Sequence, residues 1–240
     1  MITVAAVVPA YDRADTVGAT VRALREIVGI HEVLVVDDGS SDDTASVASA
    51  AGATVHRLET NVGKAGAINA GIDATVADVL LFIDADTGAT AAEAKHLIGP
   101  VLGDEADMAI AVLPSADGKG GFGIIRDVAA SILLVGTGSE FAAPLSGQRA
   151  IRRTALDDLG PVDRFGLEVA LTLDLVRAGH RVVEVEAGFD HLHTGKTIAG
   201  FAHRGRQGKD LVRTAAKRLG WRATVGAVLS ALGSRLGRKP

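Results

Sequence analysis

Two aspartates separated by one residue, Asp84 and Asp86, carry the clearest chemical signal in this chain. They follow residues 79–83, an apolar run short enough to be a strand buried on both faces. Side chains alternate along a strand, so the two carboxylates would point to the same side as the chain leaves the sheet. A hard divalent cation, Mg²⁺ or Mn²⁺, would relieve their repulsion. The alternative is a loop with two solvated carboxylates, one of which caps a helix near Thr90.

Short apolar runs alternate with helical patterns along most of the chain. Strands are predicted at residues 4–8, 32–36, 54–58, 79–83, 107–113 and 181–185. Helices are predicted at residues 15–27, 44–51, 64–74, 124–135 and 167–178. This alternation predicts an α/β fold with a Rossmann-like, mostly parallel sheet flanked by helices. In such sheets, ligands bind beyond the carboxyl ends of the strands.

The composition limits the classes of protein that this chain can be. Its 240 residues, 48% of them hydrophobic, suffice for one large domain. No apolar run is long enough to span a bilayer, and the first residues do not resemble a signal peptide. Cysteine is absent, which excludes disulfides and fits a cytoplasmic location. Aromatic residues make up 3%, which argues against nucleic-acid binding by base stacking.

Charge is concentrated at the end of the chain. Residues 196–240 contain 11 Lys or Arg against one acid, while the whole chain has a net charge of −4. We therefore predict a main domain at residues 1–205 and a basic amphipathic helical extension at 206–240. Residues 221–236 would pack on the body, pair with another subunit in a homodimer, or lie on an anionic membrane surface.

Three further polar segments follow or precede predicted elements at the same edge of the sheet. Pro9 ends the first strand, and Tyr11 offers a flat face on which a base could lie. Asp37 and Asp38 end the second strand, where a carboxylate could accept a hydrogen bond from a base. Lys64 begins a helix in a Gly-rich stretch, a position that suits phosphate. Helix capping by Asp12 or Asp15, and by Ser41 or Asp42, is the alternative interpretation of the first two segments.

These segments together resemble a known family. Pro9-Ala10-Tyr11, residues 37–42, residues 63–69 and Asp84-Ala85-Asp86 occur in the order and spacing of family 2 glycosyltransferases. The resemblance covers most of residues 2–195 and implies a GT-A fold, a UDP- or GDP-sugar donor and a divalent metal. It implies that Asp86 is a metal ligand with a catalytic role. It also implies that the nucleotide-binding residues are Pro9, Ala10, Tyr11, Asp38, Lys64, Asp84 and Ala85. Asp12-Arg13 departs from the Asn-Glu that the family often has there.

The second half resembles a narrower group, the glucosyl-3-phosphoglycerate synthases and their mannosyl relatives. The similar segments are residues 165–171, 191–193 and 204–207. This resemblance implies that His193 joins Asp86 on the metal, with His191 as the fallback ligand; an exposed histidine in a loop is the alternative for either. Many family 2 enzymes carry Glu-Asp where this chain has Leu167-Glu168, which implies a catalytic role for Glu168, with capping of the helix as the alternative. Glu168 would be the base in an inverting reaction and would position a sugar or acceptor in a retaining one.

The remaining contacts to sugar or acceptor are assigned to two segments. Gly147 and Gln148 would contact sugar hydroxyls, and Arg204 and Arg206 would bind phosphate oxygens. The alternative for the two arginines is a solvated face. Arg149 is interpreted as a surface charge.

The predicted function is therefore that of a metal-dependent glycosyltransferase using a nucleotide-diphosphate sugar. The basic amphipathic tail slightly favours a lipid acceptor, a polyprenyl phosphate, and a cytoplasmic enzyme associated with the membrane surface. The alternatives are transfer to a small phosphorylated acid such as 3-phosphoglycerate, and a non-catalytic nucleotide-sugar-binding module.

Overall fold

In the computed structural model, the described residues are 1–113, 123–157, 159, 167–190 and 198–237. In the last range, the side chains of residues 198–207, 209 and 234–237 are not described.

The described residues form a seven-stranded sheet in the order β3-β2-β1-β4-β6-β5-β7. Its strands are β1 (Val4–Ala10), β2 (Glu32–Asp37), β3 (Thr54–Arg57), β4 (Val79–Phe82), β5 (Met108–Val112), β6 (Arg149–Arg152) and β7 (Val182–Glu186). Paired strands are parallel except at β6, which runs antiparallel to both β4 and β5. The predicted α/β class with a mostly parallel sheet is confirmed.

Helices cover both faces of this sheet. They are α1 (Val17–Arg25), α2 (Thr44–Ala50), α3 (Lys64–Ala74), α4 (Lys95–Leu102), α5 (Gly123–Thr137), α6 (Arg153–Asp157), α7 (Leu167–Arg177), α8 (Ile198–Leu219) and α9 (Trp221–Gly237). A 3₁₀ helix, Gly88–Ala94, links β4 to α4. The sequence patterns did not predict α4 or α6, and they gave a helix near Thr90 only in the alternative interpretation of the two aspartates.

Strands β1 and β4, in the middle of the sheet, are apolar on both faces because each face meets its own layer of helices. Along β1, Ala5 and Val7 belong to the core that contains Ile68 of α3. The alternate residues of β1 belong to a second core with Val21 and Leu24 of α1. Two cores of this kind explain why β1 is a continuous apolar run without alternation.

The basic tail packs against the body. Leu211 and Ala215 of α8, and Ala227 of α9, are buried in the same core as α5. Ser131 of α5 donates a hydrogen bond to the carbonyl oxygen of Ala227 (2.8 Å). This is the first of the three predicted alternatives for the tail. The predicted division between residues 205 and 206 falls inside α8, and the division of the chain into a domain and an extension stays a prediction. Within the described residues, the helices lack the length and apolar character needed to cross a membrane.

Candidate functional site

Four side chains from distant parts of the chain meet beyond the end of β4. The Lys64 ammonium lies 2.5 Å from Asp84 Oδ1 and 3.7 Å from Glu168 Oε1. Gln148 Nε2 donates a hydrogen bond to the other Asp84 oxygen, Oδ2 (3.0 Å). Lys64 and Glu168 lie in the first turns of α3 and α7. We call Lys64, Asp84, Gln148 and Glu168 the Lys64 cluster.

The electrostatics of the Lys64 cluster favour the charged lysine. Burial would lower the pKa of the Lys64 ammonium, but the negative charges of Asp84, Glu168 and Asp86 outweigh that effect. The pKa of Lys64 is therefore raised above its ordinary value. The side chain keeps 41% of its surface exposed, so solvent screens part of this attraction. One cation between two acids leaves the cluster accessible and net negative, which suits cationic or hydroxyl-bearing ligands.

Gly147 lies directly against the Lys64 cluster. A Cβ atom at this position would stand 2.5 Å from Lys64 Nζ and 3.0 Å from Asp84 Oδ2. A side chain at residue 147 would therefore displace the Lys64 ammonium from its present position beside Asp84.

The predicted interpretation of Arg149 as a surface charge is wrong. The side chain is 1% exposed, and burial lowers the pKa of the guanidinium to about 10, against the opposing charges of Glu168 and Glu184. Arg149 remains a cation at neutral pH inside the protein. Sequence reasoning missed it because its position follows a polar segment and precedes two further charged residues.

Asp37 and Asp38, at the end of β2, are buried and hold backbone in place. Asp38 is 2% exposed, and its carboxylate accepts hydrogen bonds from the amides of Val62 (2.7 Å) and Gly63 (2.9 Å). Asp37 Oδ1 accepts a hydrogen bond from the Ser40 amide (3.0 Å). Its Oδ2 lies 3.3 Å from Arg57 Nε, as an ion pair without hydrogen-bond geometry.

The loops after β1 and β2, residues 11–16 and 38–43, bind each other through side-chain oxygens. We call them the strand-end loops. Asp12 Oδ1 accepts from the Ser41 amide (2.8 Å), and the Asp12 amide donates to Ser40 Oγ (3.0 Å). Asp42 accepts from the amides of Ala14 (3.1 Å) and Thr44 (3.0 Å). Thr44 is the first residue of α2, so the alternative of capping at the helix start accounts for part of the role of Asp42.

A cavity of about 350 Å³ opens beside these loops. It is lined by Asp12, Arg13, Ala14, Asp15, Thr16, Asp42 and Asp86. Among the described side chains, the hydroxyl of Thr16 is buried here without a hydrogen-bond partner. Carboxylate and hydroxyl oxygens are the donors that Mg²⁺ and Mn²⁺ prefer. The chemistry of this lining therefore fits a hard divalent cation at Asp86.

The triplet that contains Asp84 and Asp86 is fixed from α1. The Thr20 hydroxyl, fully buried, donates to the carbonyl oxygen of Ala85 (3.0 Å). Ala85 itself is buried, so its contribution to a ligand would come from the backbone. In this arrangement the Asp84 carboxylate contacts Lys64, whereas Asp86 lines the cavity.

The other predicted site residues fall into two groups. Tyr11 is 46% exposed at the end of β1, where Pro9 is partly buried and Ala10 is buried. His193 and His191 lie outside the described residues, and the side chains of Arg204 and Arg206 are also outside them. Over the described part of the chain, His, Asp and Glu side chains do not form a group of three that could hold a metal ion.

The segment that leads to His193 is attached close to the Asp84-Ala85-Asp86 triplet. Asp190 donates its amide to Thr90 Oγ1 (3.0 Å), and Thr90 lies four residues after Asp86. The Gly188 amide donates to Glu93 Oε2 (3.2 Å) in the same 3₁₀ helix. The last described residue before His191 is therefore held to the 3₁₀ helix that follows Asp86.

The model of the family described as glycosyl transferase family 2 matches residues 5–160, more than half of the chain. The chain belongs to this family. This family 2 glycosyl transferase is 30% identical over 206 residues to an uncharacterized glycosyltransferase of Mycobacterium tuberculosis, covering 84% of this chain and 92% of that one. It is 29% identical over 195 residues to a glucosyl-3-phosphoglycerate synthase of Mycolicibacterium paratuberculosis. That match covers 72% of this chain and spans 59% of the length of the synthase.

Solved structures show the same similarity. The glucosyl-3-phosphoglycerate synthase of Mycobacterium tuberculosis, in complex with Mn²⁺, UDP and phosphoglyceric acid, has 26% identity and a TM-score of 0.76. The match covers 91% of this chain and 79% of that one. The same synthase with Mg²⁺ and UDP has 25% identity and a TM-score of 0.76, covering 91% and 80%. The predicted GT-A fold, the family and the resemblance to this group of synthases are confirmed.

Proposed function

We propose that this protein transfers a sugar from a UDP- or GDP-sugar to a small phosphorylated acid of the 3-phosphoglycerate type. The observation that carries the proposal is the Lys64 cluster, in which groups from four segments converge at the carboxyl edge of the sheet. The relatives that share this fold bind UDP, glucose as UDP-glucose, and phosphoglyceric acid.

The nucleotide is assigned to the side of the site formed by the strand-end loops and the ends of β1 and β4. Tyr11 would stack on the base, next to Pro9 and Ala10. Asp38 would act mainly by holding the amides of Val62 and Gly63, because both of its oxygens already accept from them. Its other lone pairs stay available to a base. Asp84 and Ala85 would contact the ribose, and Lys64 would hold Asp84 in place.

The metal is assigned to Asp86 and His193. The oxygen-rich cavity beside Asp86 and the attachment of Asp190 to Thr90 support this pair. Neutral imidazole and carboxylate together suit Mn²⁺ and similar ions. When bound, such an ion would neutralise the diphosphate of the donor and stabilise the leaving nucleotide.

The sugar and the acceptor are assigned to the other side of the site, the side of the Lys64 cluster. Gln148 and the backbone of Gly147 would contact sugar hydroxyls, and Glu168 would orient a hydroxyl of the sugar or the acceptor. Arg204 and Arg206 would bind phosphate oxygens through their planar guanidinium groups.

The comparisons favour the phosphorylated acid over the polyprenyl phosphate that the tail alone slightly favoured. The glucosyl-3-phosphoglycerate synthase that shares this fold was solved in complex with phosphoglyceric acid. In addition, α8 and α9 bury apolar residues against the body, which accounts for part of their amphipathic pattern. The lipid acceptor therefore loses its main support.

A transfer assay tests the proposed function. UDP-glucose and GDP-sugars are incubated with Mn²⁺ or Mg²⁺ and 3-phosphoglycerate, and both nucleoside diphosphate and glycosylated product are quantified. We expect product only when metal and acceptor are both present, and none from Asp86→Ala. Donor binding without hydrolysis or transfer under any of these conditions would support the non-catalytic module instead.

The outer face of α9 supports one more proposal, contact with an anionic membrane surface. Trp221 and Leu229 are each 62% exposed, and Val225 and Leu232 are exposed on the same side, next to Arg222. Sedimentation with vesicles of anionic and of neutral lipid tests it. We expect binding to anionic vesicles only, lost in Trp221→Ala/Leu229→Ala. A homodimer that forms without vesicles and ignores them would assign this face to a second subunit.

A further inference from the structure

Arg149 is a buried cation with an unusual set of partners. Its Nε donates to the carbonyl oxygen of Ser146 (2.7 Å), and its Nη2 to that of Pro144 (3.4 Å). Its Nη1 donates to the carbonyl oxygen of Glu168 and to Thr172 Oγ1, both at 2.8 Å. These acceptors are all neutral. Burying a guanidinium without a carboxylate in direct contact is costly, and core packing alone would be served better by an apolar residue.

These acceptors belong to two segments that converge on the Lys64 cluster, the loop of residues 144–148 and the start of α7, which we call the two walls. Pro144 and Ser146 precede Gly147 and Gln148, the residues that touch Asp84. Glu168 and Thr172 lie one turn apart at the start of α7, which carries the Glu168 carboxylate toward Lys64. One guanidinium therefore joins the loop of residues 144–148 to the start of α7.

A partly buried carboxylate, that of Glu184, holds the residues that lead into the same loop. The Glu184 carboxylate, from the edge strand β7, accepts hydrogen bonds from the amides of Ala142 (2.9 Å) and Ala143 (2.7 Å). Glu184 and Arg149 thus fix consecutive parts of the loop through its backbone. The backbone that leads to Gly147 and Gln148 is therefore held by Glu184 and Arg149, and its position does not depend on the side chain of Gln148.

We propose that Arg149 is a positioning residue, whose guanidinium sets the separation between Gly147-Gln148 and Glu168 so that both meet the Lys64–Asp84 pair. The inference rests on the proposed function for its effect on catalysis. It concerns only the side of the site assigned to the sugar and the acceptor, because the hydrogen bonds of Arg149 reach no residue of the strand-end loops.

The geometry requires arginine at this position. Its planar group presents five donors in a fixed fork and can reach both walls at once. Lysine carries three donors on a single nitrogen and reaches one wall at a time. Methionine has a similar length and no donor, so it would leave the carbonyl oxygens of Ser146 and Glu168 without this partner.

The test compares Arg149→Met and Arg149→Lys with Arg152→Met. Arg152 lies on the same strand, β6, and also donates to a carbonyl oxygen, that of Val101 (2.8 Å), but it points to Asp104 rather than to the Lys64 cluster. We expect Arg149→Met to lower kcat about 100-fold, because misplacement of about 1 Å can have that effect. The Kd for UDP should stay within about threefold, since the strand-end loops are unaltered. Arg149→Lys should recover about tenfold of the lost kcat, and Arg152→Met should keep kcat.

Hydrogen exchange on the same variants gives a readout independent of turnover. Arg149→Met should speed exchange at residues 142–148 and 167–172 while leaving residues 37–44 unchanged. Unchanged exchange in both segments would overturn the proposal whatever the substrate is, and so would equal loss of kcat in Arg152→Met. If Arg149→Met fails to fold, Arg149→Lys carries both measurements. A wild-type protein without transferase activity would refute the proposed function, whereas an active wild type with fully active Arg149 variants would refute this inference alone.

Discussion

Carboxylates line both sides of the site, but they meet different partners on the two sides. In the strand-end loops, the acids accept hydrogen bonds from backbone amides, as Asp38 does from Val62 and Gly63. In the Lys64 cluster, Asp84 and Glu168 meet the side chains of Lys64 and Gln148. Acids bound to the backbone fix the shape of a loop. Acids balanced by a partly exposed side chain can exchange that partner for a ligand.

This difference teaches that the same residue type contributes to stability on one side and to function on the other. Removing a buried carboxylate that accepts from the backbone leaves amides without a partner. Removing a partly exposed carboxylate from the Lys64 cluster changes a charge balance that a ligand would use. Substitutions on the two sides should therefore separate into losses of stability and losses of activity.

The largest effect is expected for Asp84→Asn. The substitution keeps the size of the side chain but removes the charge that faces Lys64. We expect kcat/KM to fall about 100- to 1000-fold, the range seen when one preorganised charge interaction is lost. The midpoint of thermal unfolding should stay close to that of the wild type, because Asp84 is partly exposed. Asp73→Asn, at an exposed position of α3, is the matched control. A large loss of stability would place Asp84 with the structural acids.

Asp38→Ala is expected to act in the opposite way. It leaves two backbone amides in a buried region without their acceptor, which should lower the free energy of unfolding by about 2–4 kcal/mol. Urea denaturation measures this, with Asp15→Ala as the exposed control. If Asp38→Ala kept full stability and lost UDP binding, Asp38 would belong to the ligand-facing group.

Gly147→Ala should disturb the Lys64 cluster from outside. The added Cβ would stand 2.5 Å from Lys64 Nζ, so the ion pair with Asp84 must shift. We expect kcat/KM to fall about tenfold or more. Gly226→Ala in α9, where nothing lies within 4 Å of the new Cβ, should keep activity. Equal activity of the two variants would show that the approach of residue 147 to Asp84 is unimportant.

The smallest effect is expected from pH. The hydroxyl of Thr44, with the amides of Ala14 and Thr44, holds the pKa of Asp42 below its usual value. A carboxyl with a lowered folded pKa contributes stability above its unfolded pKa, about 3.9, and loses it as pH falls through the folded pKa. The strand-end loops should therefore loosen only below about pH 4. Unfolding of wild type and Asp42→Asn between pH 3 and 7 checks this, and the two curves should converge in acid.

Lys64 should respond at the other end of the pH scale. Its folded pKa is raised, so its stabilising contribution is fully present below the unfolded pKa, about 10.4, and is lost as pH rises through the folded pKa. Between pH 6 and 9 Lys64 should therefore keep its charge. A pH–rate profile for Lys64→Met that differs from the wild type by a constant factor over this range is the expected result. A changed shape in that range would mean that Lys64 titrates there.

Local patterns predicted the first half of the fold. α3 begins and ends at the predicted residues, 64 and 74, because helix and strand signals are clear within a few residues. The antiparallel direction of β6 was not predicted, since the direction of a four-residue strand depends on the strands beside it rather than on its own residues. The meeting of Asp84 with Lys64 follows from the common edge of parallel strands. The expectation that Glu168 and Gln148 belong to the site came from the family resemblance.

The burial of Arg149 could not be predicted from the sequence. Its hydrogen-bond acceptors are mainly carbonyl oxygens, which every residue carries, so no residue type marks them. The contrast between Asp38 and Asp84 was hidden for the same reason. Both are acids at the end of a buried strand, and only the loop backbone around Asp38 shows that its carboxylate already has partners.

Calorimetric titration of UDP into the wild type and Asp86→Asn, with Mn²⁺ and after chelation of metal, tests the site as a whole. We predict that the wild type binds UDP at least about tenfold more tightly with Mn²⁺, as expected for a metal held between protein carboxylate and diphosphate. Asp86→Asn should lose most of that gain while its unfolding midpoint is unchanged. Equal affinity for UDP with and without Mn²⁺ in the wild type would contradict a metal-dependent nucleotide-sugar site at the end of β4.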